Sequence, residues 1–118
     1  MAHFTGVELA YLQGERRLGR LATITPDGGP HLVPLGWSYN AELDTIDISG
    51  RNFAATRKFR NVRTNPKVAF VVDDVLPPWR PRCVTVQGNA TAIDATDTGG
   101  EAMIRIVPDK ITSWGLEE

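Results

Sequence analysis

Between residues 50 and 67 the sequence reads GRNFAATRKFRNVRTNPK, with six cations (Arg51, Arg57, Lys58, Arg60, Arg63 and Lys67) and no acid. Guanidinium and ammonium groups gathered this closely hold oxyanions, arginine through a planar fork of N–H donors and lysine as a point charge. The 118-residue chain has a formal net charge of −1, so outside this stretch seven cations face fourteen acids. A protein that grips long nucleic acid gains affinity with every phosphate neutralised and spreads its basic surface widely. One local patch in an otherwise acidic chain favours a small anion, and no nucleic-acid partner is expected. The competing reading is a solvated helix face that happens to be basic.

The spacing within the stretch predicts a helix. Asn52 is a plausible N-cap, and Ala55, Phe59 and Val62 fall on one apolar stripe. Asn65-Pro66 stops it, because a residue before proline is pushed out of the α region. Lys58 and Arg63 then flank the stripe, while Arg57 and Arg60 point away from it. Thr56 and Lys58 are left at the helix edge, within reach of an anion. The first turn adds free N–H groups and the positive end of the helix dipole.

Other residues offer less. PPWRP, residues 77–81, has P-x-x-P spacing but reads better as a stiff loop fixing Trp79 and Arg80, an indole for stacking beside a guanidinium for an acid. His31 opens a strand directly after a turn and is either a rim histidine or a cofactor contact. Trp37 and Trp114 read as core or interface aromatics. Cys83 is the single cysteine and reads as a small buried hydrophobe, with no internal disulfide possible. With two histidines far apart and no HExxH or CxxC, no metal site is expected. GxGxxG, GxxxxGK and GxSxG are absent too, so any enzymatic reaction is expected to be carried by a cofactor.

These residues need a scaffold, and the pattern around them is mostly strand. A capping box at Thr5-Gly-Val-Glu8 starts a short helix that ends at Gly14. RLATIT (20–25), HLVPLGWSY (31–39) and TIDIS (45–49) read as three consecutive antiparallel strands. Pro34 marks an edge, a bulge or a close backbone approach. After the basic helix come VAFVVDD (68–74), the stiff loop 75–81, CVTVQGNATAI (83–93), a loop at 94–100 and MIRIVPDKITSW (103–114). One domain spanning 1–118 is expected, mainly β (α+β): about six strands in a small closed or nearly closed barrel with short flanking helices. No run of 18 apolar residues occurs and the start lacks an apolar signal core, so the expected location is cytoplasmic, with no membrane partner.

In this order, GRLATITPDGGPHLVPLGWSY, TIDISGRNFAATRKFRNVRTNPKVAFVVDD, PWRPRCVTVQGNA and IRIVPDKITSWGL resemble the pyridoxamine 5′-phosphate oxidase-like, FMN-binding split β-barrel superfamily. Within it they are most similar to the actinobacterial branch that uses the deazaflavin F420; WRPR and SWGL resemble its dehydrotetracycline reductase-like subgroup. The resemblance covers nearly the whole chain. It implies a six-stranded split β-barrel of Greek-key character, a homodimer, two cofactor sites at the subunit interface and a small-molecule substrate. It further implies that Thr56, Arg57, Lys58 and Asn61 hold the cofactor phosphate and that Arg51 lies at the end of the preceding strand. His31, Val33 and Pro34 would line the ring on one side and Ser49 and Gly50 on the other. Trp79, Arg80, Arg82 and Cys83 would close the site.

The expected activity is hydride transfer from reduced F420 to an unsaturated small molecule, with no side chain named as proton donor. The superfamily's oxidases proper carry a further C-terminal segment for the vitamin substrate; here nothing follows WGLEE, and oxidation of vitamin B6 is not expected. Two other readings stand beside this one: an FMN-binding oxidoreductase or flavin reductase on the same fold, and a non-catalytic module carrying flavin or haem.

Overall fold

The computed structural model describes residues 2–116. Its first helix, α1 (Gly6–Leu12), is capped as expected. The Thr5 hydroxyl accepts from the Glu8 N–H, and the Glu8 carboxylate accepts from the Thr5 N–H at 2.8 Å. The other carboxylate oxygen of Glu8 takes a hydrogen bond from Ser113 at 2.6 Å, tying the N-terminal helix to the last strand.

Seven strands follow, one more than the sequence suggests: β1 (Gly19–Ile24), β2 (Pro30–Leu35), β3 (Ser38–Asn40), β4 (Thr45–Ser49), β5 (Lys67–Leu76), β6 (Arg80–Ile93) and β7 (Met103–Trp114). They form one sheet in the order β2-β1-β5-β6-β7-β4-β3, antiparallel at every pairing. The extra strand comes from the run 31–39. It breaks at Gly36-Trp37, and its halves lie at opposite edges of the curled sheet instead of forming the middle of a three-strand meander. The supposed loop 75–81 is mostly strand, with only Pro77-Pro78-Trp79 left as the turn between β5 and β6. Residues 94–100 include a short helix, α3 (Ala95–Thr98).

Alternation explains the packing. Leu21, Phe70, Val72, Val84, Val86, Ile104 and Ile106 point into the curl and are almost wholly buried. The helix α2 (Arg57–Thr64) adds Phe59 and Val62 to that core. Gly19 is required where β1 begins: a Cβ there would lie 2.4 Å from the Phe70 ring and 2.9 Å from Trp37. Those two rings meet edge-on at 5.8 Å, so neither has room to retreat. Gly19→Ala is expected to cost about 1–3 kcal/mol, the usual penalty of overpacking, read as a lower urea midpoint at unchanged m.

Candidate functional site

The basic stretch folds differently at its start from what its sequence suggests. Asn52 does not cap the long helix; it takes a left-handed conformation (φ 51°) before a single 3-10 turn, Phe53–Ala55. Thr56 is the cap of α2, its hydroxyl accepting from the Phe59 N–H at 3.4 Å and donating to the Phe53 carbonyl at 2.7 Å. That hydroxyl is therefore engaged in local structure, and the oxyanion-binding capacity falls to its neighbours. Lys58 is half-buried, its ammonium 4.9 Å from the centre of the Phe53 ring, and desolvation lowers its pKa. Arg51, Arg57, Lys58 and Arg60 have no carboxylate partner among the described residues. Arg63 does: it bridges to Asp94 and lies over the Phe59 ring.

Asn61 faces inward, 3% exposed, and its amide donates to Thr23 Oγ1 at 3.0 Å. It anchors α2 to β1. Directly across from Thr23 stands His31 on β2, whose buried Nδ1 has no hydrogen-bond partner. A ring nitrogen held out of water with nothing to bond is costly, and a polar ligand group beside it would relieve that cost. Val33, opposite Leu21, shares this side of β2; Pro34, opposite Arg20, is on the other. Along the outer flank of α2, a groove of about 590 Å³ is lined by Arg57, Arg60 and Thr64 facing Thr25, Pro26 and Asp27 of the β1–β2 turn. Ser49 and Gly50 lead from β4 toward the 3-10 turn, with Arg51 exposed beside them.

The second group of candidates lies elsewhere. Trp79, Arg80, Arg82 and Cys83 belong to the β5–β6 hairpin, whose turn is at the far end of β5 from Lys67, a strand length of roughly 30 Å. One chain does not bring them to α2. Trp79 is 75% exposed. Cys83 is buried on the same face as Thr85, its sulfur 3.9 Å from that hydroxyl. Arg82 donates twice to Asp74, at 2.9 and 2.6 Å, so this guanidinium is engaged within the chain and is not free for a cofactor.

Asp74 is the residue the sequence hid. Its carboxylate also accepts from Tyr11 at 2.9 Å and Arg17 at 3.0 Å. The hydrogen bonds from Arg82, Tyr11 and Arg17 hold its pKa far below the usual carboxylate range. Both guanidiniums lie over the Tyr11 ring, at 4.0 and 4.9 Å. The cluster clamps α1 against the hairpin. An acid between Val72 and Leu76 on the core-facing side of a strand was the available sign of it.

The model for the pyridoxamine 5′-phosphate oxidase family matches residues 8–115. This chain belongs to that family. A member from Streptomyces rimosus subsp. rimosus, 5a,11a-dehydrotetracycline/5a,11a-dehydrooxytetracycline reductase, is 44% identical, the match covering 97% of this chain and 84% of that one. Solved structures share the fold. A conserved hypothetical protein of Mycobacterium tuberculosis has a TM-score of 0.74 at 24% identity, covering 94% of this chain and 84% of its own. A structure titled F420 reductase has a TM-score of 0.67 at 21% identity, covering 87% and 94%. An FAD-binding protein of Mycobacterium smegmatis has a TM-score of 0.70 at 22% identity, covering 97% of both chains. The family assignment and the mainly β, curled antiparallel sheet agree with the resemblance seen in the sequence, while the strand count is seven and not the six it implied. Among the described residues no helix is long and apolar enough to cross a membrane and no metal-binding cluster occurs.

Proposed function

We propose that this protein is an F420-dependent reductase acting as a homodimer on an unsaturated, fused-ring small molecule. The observation that carries the proposal is the 44% identity, across 97% of the chain, to a reductase of dehydrotetracyclines. The niche at the start of α2 fits a phosphorylated cofactor. It offers a half-buried ammonium on Lys58, the Arg57 fork and N–H groups of the first helical turn. The orphaned nitrogen of His31 lies further along, across from the Thr23 that Asn61 of α2 binds. The first three meet a phosphate, and His31 meets a polar edge of the same molecule.

In this reading Arg57 and Arg60 continue the cationic track along the outer groove, where F420's acidic tail would lie. FMN has no such tail and would leave Arg60 to water. The bound cofactor would supply the hydride, and the remaining proton would come from water, since no side chain of the niche is placed as its donor. The residues of this chain bind and orient. His31 and Val33 border the ring on β2, Ser49 and Gly50 on the β4 side, and the hairpin of a second copy brings Trp79 over the opening. The apolar surface at that end of the sheet, Val75, Trp79 and Trp114, suits contact between copies.

Side-by-side titration of the purified protein with F420 and FMN, followed by tryptophan quenching, tests the cofactor assignment. Tighter binding of F420 is expected, as is consumption of reduced F420 when a dehydrotetracycline is added. No F420 binding at tens of micromolar, or a protein that purifies yellow and releases FMN on denaturation, would overturn it. Sedimentation as a monomer at those concentrations would remove the dimer.

A further inference from the structure

The α2 niche and its groove take up Arg57, Lys58 and Arg60 of the basic stretch, and Arg63 is held by Asp94. Lys67 is past the helix, at the first residue of β5, and stands at the edge of a different cavity, of about 450 Å³, on the outer face of the sheet. Ligand pockets for small organic molecules begin at about 300 Å³.

Its floor follows from the strand register. Residues directly opposite one another share a face, and here a straight row runs across four strands, Ala22–Ala69–Gln87–Lys110. The first pair are alanines, so in that row only two methyl groups rise from the sheet between β1 and β5. Ile24 and Pro30 wall the cavity on that side. On the other side the lining turns polar: Lys67 opposite Asn89, then Gln87 opposite Lys110. A bulge helps place this wall. Gln87 pairs with Lys110 and Gly88 with Pro108, leaving Asp109 as an extra residue on β7, which bends the strand and re-aims the side chains around it. Gly88 cannot be replaced there, because a Cβ would stand 2.3 Å from the Val107 carbonyl oxygen.

Charge is distributed unevenly over the cavity. Asp109 is engaged by the Asn89 amide at 2.8 Å. Lys67 and Lys110 have no carboxylate partner among the described residues. The cavity is thus apolar over Ala22, Ile24, Pro30 and Ala69, with Lys67 beside Ala69 on β5 and Lys110 two strands away on β7 outnumbering the one acid, Asp109. Only Pro30 is shared with the groove along α2.

From this arrangement we infer a second ligand site, for a flat organic anion whose rings lie on Ala22 and Ala69 and whose acid group meets Lys67 and Lys110. A neutral flat molecule gains only the apolar half of the contact. An inorganic anion gains only the lysines, which are too exposed to hold it alone.

The test uses the full chain and 2-naphthoate, with 2-naphthalenemethanol as the uncharged control, followed by calorimetry. Saturable binding of one naphthoate per chain is expected, stronger than that of the alcohol and weakened by salt. The double variant Lys67→Ala/Lys110→Ala is expected to lose at least about threefold in naphthoate affinity and to leave the alcohol unchanged, as removal of two exposed charge contacts should. Ala69→Leu, which raises the floor, is expected to weaken both. Lys58→Ala is expected to leave both untouched, which separates this site from the cofactor niche. Absence of saturable binding, or equal binding by wild type and both outer-face variants, overturns the inference. So does conversion of a dimer to monomers by the double lysine variant, since the cavity would then be a seat for a second copy.

Discussion

Lys58→Ala is expected to weaken F420 binding by about 1.5–3 kcal/mol, the usual worth of a hydrogen bond to a charged group, or roughly tenfold to more than a hundredfold in Kd. The large figure rests on burial. An exposed lysine facing a phosphate contributes little after water and salt have screened it. Lys58 is partly removed from water against Phe53, desolvation already lowers its pKa, and no acid neutralises it. A phosphate arriving there therefore meets a charge that solvent shields poorly. Because the side chain has no carboxylate to abandon and gives up only its contact with the Phe53 ring, the variant should fold normally, with a urea midpoint lowered little. Calorimetric titration of wild type and variant checks both halves. Unchanged affinity would remove Lys58 from the site, and affinity lost together with stability would mark it as structural.

The second large effect concerns stability. Asp47→Ala is expected to cost about 3 kcal/mol, toward the lower end of what breaking a buried ion pair costs. Asp47 is 8% exposed and accepts from Arg105 twice, at 3.1 and 3.0 Å, from Asn40 at 3.0 Å and from Thr45 at 3.0 Å. Truncation leaves the guanidinium, the amide and the hydroxyl without their common acceptor at the joint of β3, β4 and β7. Arg105 keeps some access to water, and this moderates the loss. Burial alone would raise the pKa of Asp47, but the hydrogen bonds from Arg105, Asn40 and Thr45 outweigh it and hold the carboxyl below its ordinary value. A depressed folded-state pKa contributes stability above the unfolded value of about 4, and that contribution is lost as pH falls below it. Asp47→Asn should accordingly flatten the acid side of the stability profile, and denaturant melts between about pH 5 and pH 3 would reveal this.

Much of this fold was legible because its strands alternate cleanly. VAFVV and CVTVQGNATAI carry apolar residues or glycine at every second position, and the strands that contain them, β5 and β6, pair over ten registered positions. What the pattern did not contain was the break in 31–39. Its alternation runs unbroken through Gly36 and Trp37. The break is set by tertiary contacts: the Trp37 indole donates to the Arg17 carbonyl at 2.8 Å and packs on Phe70. Local spacing also pointed to Asn52 as the cap of the basic helix, and only backbone geometry moves that role to Thr56.

The candidate site was readable in the same uneven way. Lys58 and Arg57 stand out by charge, and His31 by its place after a turn. The hairpin residues do not join them within one chain, and Arg82 is taken by an aspartate eight positions away whose role depends on which face of β5 it occupies.

The β2 edge of the sheet has one further property. Residues two apart on a strand offer their backbone groups to the same edge, and proline has no N–H to offer. On β2, Pro30 and Pro34 fall on either side of Leu32 in that alternation. The rim of the sheet there is rich in acceptors and nearly bare of donors. A stray strand finds a poor template on it, which guards the molecule against fibre-like growth. A molecule lodged at that rim must bring its own donors.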